Sequence, residues 1–172
     1  MGLDKIFSLI DILGMSVRGG SLKDFFENPI FLSTVSSWFF AQFIKAVIIV
    51  LNGRKKSPRD VLETLFWRTG GMPSSHASMV TALATSVAFR EGLGSTIFMV
   101  IFWIALIVMR DAMGVRRSSG IQAKVLNLLG KDVSEKIDIK YHPVKEVNGH
   151  TPLEVVVGGL LGIFIAAAYA NL

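Results

Sequence analysis

Cysteine is absent from the 172 residues, which excludes a disulfide framework and any thiolate, whether as nucleophile or as metal ligand. Charge is sparse. Asp, Glu, Lys and Arg make up 18% of the chain, where a soluble domain carries about 25%. Low-complexity segments and internal repeats are also missing, so neither a disordered linker nor a solenoid is expected. A continuous apolar core is lacking near the start: Asp4, Lys5 and Asp11 interrupt the first residues, which argues against a cleavable signal peptide. The net charge of +5 has no nucleic-acid motif beside it. It reads instead as membrane topology and affinity for anionic headgroups, with no nucleic acid as partner.

What the chain has in quantity is hydrophobic residue, 51% of the total, collected in long blocks. This distribution predicts an all-α, polytopic membrane helix bundle forming a single domain over residues 1–172, with the lipid bilayer as its solvent. Leu3, Ile6, Phe7, Ile10, Leu13 and Val17 recur at helical spacing, giving an amphipathic helix within an interfacial segment over 1–28. That helix either lies in the interface or packs on the rest of the protein. Four spans are expected: Pro29 to Leu51, Ser75 to Phe89, Ser95 to Met109, and Pro152 to Tyr169. Each crosses or nearly crosses about 30 Å of hydrocarbon, the second only with its polar ends included. A short amphipathic segment is expected over Val61 to Trp67. Between the third and fourth spans, Arg116 to Leu129 reads as a helix with Ile121, Val125, Leu128 and Leu129 on one face. The charged run from Gly130 to Val147 reads as a mobile polar loop or flap (130–148) outside the membrane.

Alternation of these spans puts the loops 52–74 and 110–151 on one side of the bilayer. That side carries 13 lysines and arginines, and the opposite side carries Lys5, Arg18, Lys23 and Arg90. The imbalance predicts that the loop-rich side is cytoplasmic. The same side receives every polar segment associated with the spans, and polar residues at membrane depth are functional candidates. Lys45, in Gln42-x-x-Lys45, either snorkels to the headgroups or points a cation at a phosphate. Gly70-Gly71-Met72-Pro73-Ser74-Ser75-His76 opens a helix with a Ser cap. Its exposed N–H groups and positive dipole end form an anion seat, and His76 adds a proton donor. Asp111-Ala112-Met113-Gly114-Val115-Arg116-Arg117 is either a topology signal or a phosphate fork held by Asp111. His150 and Glu154, four residues apart, share a helix face. The carboxylate would fix the tautomer of the imidazole and leave its other nitrogen free as nucleophile or base; with His76 the pair could instead hold a metal.

Gly-Gly-Met-Pro-Ser-Ser-His, Asp-Ala-Met-Gly-Val-Arg-Arg and Gly-His-Thr-Pro-Leu-Glu-Val, in this order, resemble the divergent branch of the type 2 phosphatidic acid phosphatase superfamily, which is related to acid phosphatases and vanadium-dependent haloperoxidases. The resemblance covers Gln42 to Gly162. It implies a membrane enzyme that hydrolyses a lipid phosphate or polyprenyl (di)phosphate without metal or other cofactor, through a phosphohistidine. His150 would be the nucleophile, Glu154 its orienting acid and His76 the leaving-group acid. Lys45, Arg68, Gly70, Gly71, Ser74, Ser75, Asp111, Arg116 and Arg117 would surround the phosphate. The chain departs from the superfamily pattern in places. Ser75 stands where a glycine is usual, Glu154 where Asp is common, and no arginine sits six residues before His150. The superfamily core has six helices, which a homodimer could supply. Membrane members of the superfamily commonly work on the outer face, against the charge count. The alternative is a non-catalytic phospholipid-binding or lipid-transporting protein that retains the anion site.

Overall fold

A computed structural model describes residues 22–51, 70–146 and 149–171. The helix expected over Leu3 to Val17, the segment Val61 to Trp67 and Arg68 lie outside the described residues. The described residues are helical, with no strand: α1 Leu22–Glu27, α2 Pro29–Leu51, α3 Ser75–Glu91, α4 Thr96–Met113, α5 Val115–Ile137 and α6 Pro152–Ala170.

Local signals place the helix ends. The Asn28 side chain accepts from the Ile30 N–H as α2 begins. Ser74 and Ser95 cap α3 and α4, accepting from the Ala77 and Phe98 N–H groups. Gly92 ends α3 at φ 84°, a conformation that favours glycine. Thr151 and Glu154 form a reciprocal capping box at the start of α6, with Pro152 at its first turn.

Three helical stretches are long and apolar enough to cross a membrane: α2, the α4 part of the 96–137 helical run, and α6. The fourth expected span, α3, is shorter at 17 residues and much less apolar. Its position explains this. It packs against α2, α4 and α6, so its small and hydroxylated residues meet other helices rather than lipid. The contacts are close because small residues let backbones approach. A Cβ at Gly158 would strike the Ser74 carbonyl oxygen, and one at Gly162 would strike the Ser78 carbonyl oxygen and the Thr81 hydroxyl. Thr81 donates across the same interface to the Gly159 carbonyl at 2.9 Å. Against α2, α3 pairs hydroxyls: Ser33 with Ser86 at 2.7 Å, and Ser37 with Ser78. Each pair satisfies polar groups that hydrocarbon could not.

The segment after α4 differs from its expected form. The helix predicted to stop at Leu129 continues through Gly130 to Ile137. Asp138, in the left-handed region at φ 53°, then turns the chain back. Residues 139–146 lie as an extended strap on α5. Asn127 receives Val144 N–H and Tyr141 O–H at its Oδ1, and its Nδ2 donates to the Val144 carbonyl. The Tyr141 ring occupies the space where a Cβ at residue 130 would sit. Gly130 therefore serves close approach rather than a helix stop. The strap takes one side of α5, and Ile121, Val125, Leu128 and Leu129 remain exposed.

The glycine contacts are directly testable. Gly158→Ala and Gly162→Ala each drive a methyl group into backbone and are expected to destabilise the protein by about 1–3 kcal/mol. A Cβ at Gly159 meets only the Thr81 methyl at 3.5 Å, so Gly159→Ala is expected to stay within about 0.5 kcal/mol of the parent. Unfolding in detergent compares the three. Equal losses at 158 and 159 would contradict the close-approach account.

Candidate functional site

The helix ends on the loop-rich side converge. Two backbone hydrogen bonds fix the arrangement: the Ser74 N–H donates to the Glu154 carbonyl at 2.9 Å, and the His150 N–H donates to the Ala112 carbonyl at 3.0 Å. The start of α3, the end of α4 and the start of α6 are thereby joined. Ala77, Ala112 and Val155 form a buried apolar floor beneath them, with Met109 and Met113 packed against it. Each of the three floor residues is the chain neighbour of a polar candidate: His76, Asp111 and Glu154.

His150 is buried at 3% exposure. Its Nδ1 lies 3.2 Å from Glu154 Oε2, and the same carboxylate oxygen accepts the Thr151 N–H at 2.9 Å. With Nδ1 turned to the carboxylate, Nε2 is the nitrogen available for chemistry. The His76 ring is half-buried, with its centroid 6.5 Å from that of His150. Burial pushes the His150 pKa below the ordinary histidine value of 6.5. The Glu154 hydrogen bond opposes this, while the positive charges of Lys45 and Arg116 add to the lowering. His150 is thus held neutral at physiological pH.

Lys45 does not snorkel. It is buried at 4% exposure within α2, and its Nζ donates to Gln42 Oε1 at 3.1 Å and Ser75 Oγ at 3.2 Å. Such a cation needs polar partners in a membrane interior. Two of them come from the segments that sequence inspection had already placed on this side. Ser74 and Ser75 are both buried at the first turn of α3. Arg116 forms an ion pair through its Nε to Asp111 Oδ2 at 2.7 Å, with both side chains partly exposed. Arg117 is exposed; its backbone is what a Cβ at Gly149 would strike. Of the two arginines, Arg116 is the one whose charge is felt at both histidines. Gly70 and Gly71 lead into the site with φ values of 92° and 83°, and the space beside Gly71 is open. Their glycine requirement is therefore conformational.

The structure brings together Lys45, Ser74, Ser75, His76, Asp111, Arg116, His150 and Glu154. Arg117 is exposed, with its backbone against Gly149. Sequence inspection missed Gly158, although Gly158-x-x-x-Gly162 in an apolar helix is a recognisable packing signal. The Gly158 position seats the Ser74 backbone. Among the described residues, no three His, Asp or Glu side chains are grouped so as to hold a metal. A lysine and an arginine beside two histidines suit an anion.

Comparison with known proteins identifies the family of the chain. The model of a family described as the divergent PAP2 family matches residues 26–165. The chain is 43% identical over 150 residues to the "Uncharacterized membrane protein YuiD" of Bacillus subtilis (strain 168), covering 81% of this chain and 92% of that protein. No solved structure matches. The matched region runs from the start of α2 into α6 and contains every helix end that builds the site, and the chain belongs to the divergent PAP2 family.

Proposed function

We propose that this protein is a membrane-embedded phosphatase that removes phosphate from a lipid phosphate or polyprenyl (di)phosphate through a phosphohistidine on His150. The observation that carries the reading is the buried His150–Glu154 pair, with a second histidine beside it and a buried lysine bonded to Ser75, the chain neighbour of that histidine. In the reaction, His150 Nε2 attacks the terminal phosphorus, an N–P bond forms and the P–O bond to the leaving group breaks, an ester bond in a monophosphate and an anhydride bond in a diphosphate. His76 gives its proton to the departing oxygen, of the lipid alcohol or of the remaining phosphate. Water, deprotonated by His76, then attacks the phosphohistidine; the N–P bond breaks and inorganic phosphate leaves. Glu154 holds the imidazole and stabilises the positive charge that it acquires on attack. Lys45, Arg116 and the N–H groups at the start of α3 stabilise charge on the equatorial oxygens. The site lies at the end of the bundle, where a lipid phosphate would present its headgroup. The excess of lysine and arginine on that side supports a cytoplasmic placement.

Phosphate release by the purified protein from a panel of lipid phosphates is expected to resist EDTA and to be inhibited by vanadate. His150→Ala is expected to abolish it. His76→Ala should slow it by about 10²–10⁴-fold for poor leaving groups and much less for good ones. Lys45→Met should lower kcat by about 10²–10³-fold. Full activity of the His150→Ala protein would overturn the proposal. Lipid binding with no release by the parent protein would favour the binding or transport alternative.

The pH profile gives a separate check. The nucleophile must be neutral, and the His150 pKa lies below 6.5 in the folded protein. Activity is therefore expected to persist as pH falls through 6.5 and to decline only as pH passes the lowered pKa. Glu154 raises that pKa, so Glu154→Gln is expected to move the acid limb lower still while reducing kcat.

A further inference from the structure

An apolar cleft of about 620 Å³ opens between α3, α4 and α6, within the size range of sites that take a single small ligand. It belongs to none of the residues assigned above, yet its upper end reaches their support. Met109 lines the cleft and also packs on the Ala77, Ala112 and Val155 floor of the site. From there the cleft runs along α4 to Phe98, eleven residues or about 16 Å of helix. On α3 it begins at Thr81, five residues past His76, and ends at Phe89.

Its lining is hydrocarbon apart from two threonines, and Thr81 commits its hydroxyl to the Ala77 and Gly159 carbonyls. An occupant needs no polar group. The cleft thus runs from beside the floor of the phosphate site along α3 and α4 to their connecting turn at Leu93, open along one side, as a slot for something long and apolar. The other face of α4 is different: Trp103 and Ile107 are 62% and 66% exposed and lie outside the cleft.

We propose that this cleft holds one hydrocarbon tail of the phosphate-bearing substrate, with the phosphate between His76 and His150 and the chain passing Met109 toward Phe98. The inference rests on the reading of the upper site as one for a lipid phosphate. Acyl and isoprenoid tails share the chemistry that the cleft recognises.

The test uses the full chain in lipid nanodiscs, without substitution. Two phosphate-bearing probes, one with an acyl and one with an isoprenoid tail, carry a photoreactive diazirine on the tail. The matching alcohols lack the phosphate. After irradiation, labelled positions are mapped by peptide mass spectrometry. At least one phosphate probe is expected to label the cleft side of α4, at Phe98, Phe102 and Leu106, roughly tenfold over Trp103 and Ile107. Vanadate should remove that excess, and the alcohols should label both faces alike. The probe enriched in the cleft names the tail. Even labelling of both faces by both phosphate probes, or an excess that the alcohols match, would mean bulk lipid in the cleft and would overturn the inference. Phosphate release on the same preparation separates the two claims. Release with even labelling would keep the hydrolysis and sink the tail slot, whereas cleft labelling without release would do the reverse.

Discussion

Everything at the site hangs on how closely α3 and α6 approach one another. Gly158 lets the α6 backbone reach the first turn of α3, and in that position the Ser74 N–H can donate to the Glu154 carbonyl. The same first turn supplies Ser75 to Lys45 and carries His76 toward His150. Ser74 is fully buried, so a backbone group that loses its partner there costs free energy. A single methyl group at the wrong glycine would therefore disturb packing, capping and the geometry of the candidate site together.

The electrostatics follow from the same geometry. Lys45 is buried with two neutral oxygen partners, and Arg116 shares its charge with a partly exposed Asp111. Glu154 divides its oxygen between His150 and the Thr151 backbone. Cations thus border the space between the two histidines, an environment that suits an anion. The capping box is part of this device. By fixing the Glu154 side chain as a helix cap, it also fixes the carboxylate that holds His150 Nδ1.

The long α5 and its strap show a related economy on the aqueous side. Gly130 would be a weak point in an isolated helix, at about 1 kcal/mol relative to alanine. Here the missing side chain gives the Tyr141 ring its seat, and Asn127 replaces the hydrogen bonds that an unpaired strap would lack. The strap thus keeps its backbone anchored on α5 at Asn127.

By itself, the sequence determined α2, α3, α4 and α6, their approximate ends and their grouping, but not the continuation of α5 past Gly130. Long apolar runs, Ser74, Ser95 and Thr151 as caps, and Gly92 as a stop are local signals, readable one segment at a time. Alternation of the spans then brought Lys45, His76, Asp111, Arg116, His150 and Glu154 to one end of the bundle. Only the tertiary structure decided which faces meet: that Lys45 turns inward to Gln42 and Ser75, that Arg116 rather than Arg117 pairs with Asp111, that α3 is the central helix, and that Gly158 seats Ser74. The reason is physical. In water a helix declares its buried face by the contrast between apolar and polar sides, but in lipid both sides are apolar and the contrast fades. The packing faces are then marked by small residues and paired hydroxyls, whose meaning appears only when the partner helix is in place.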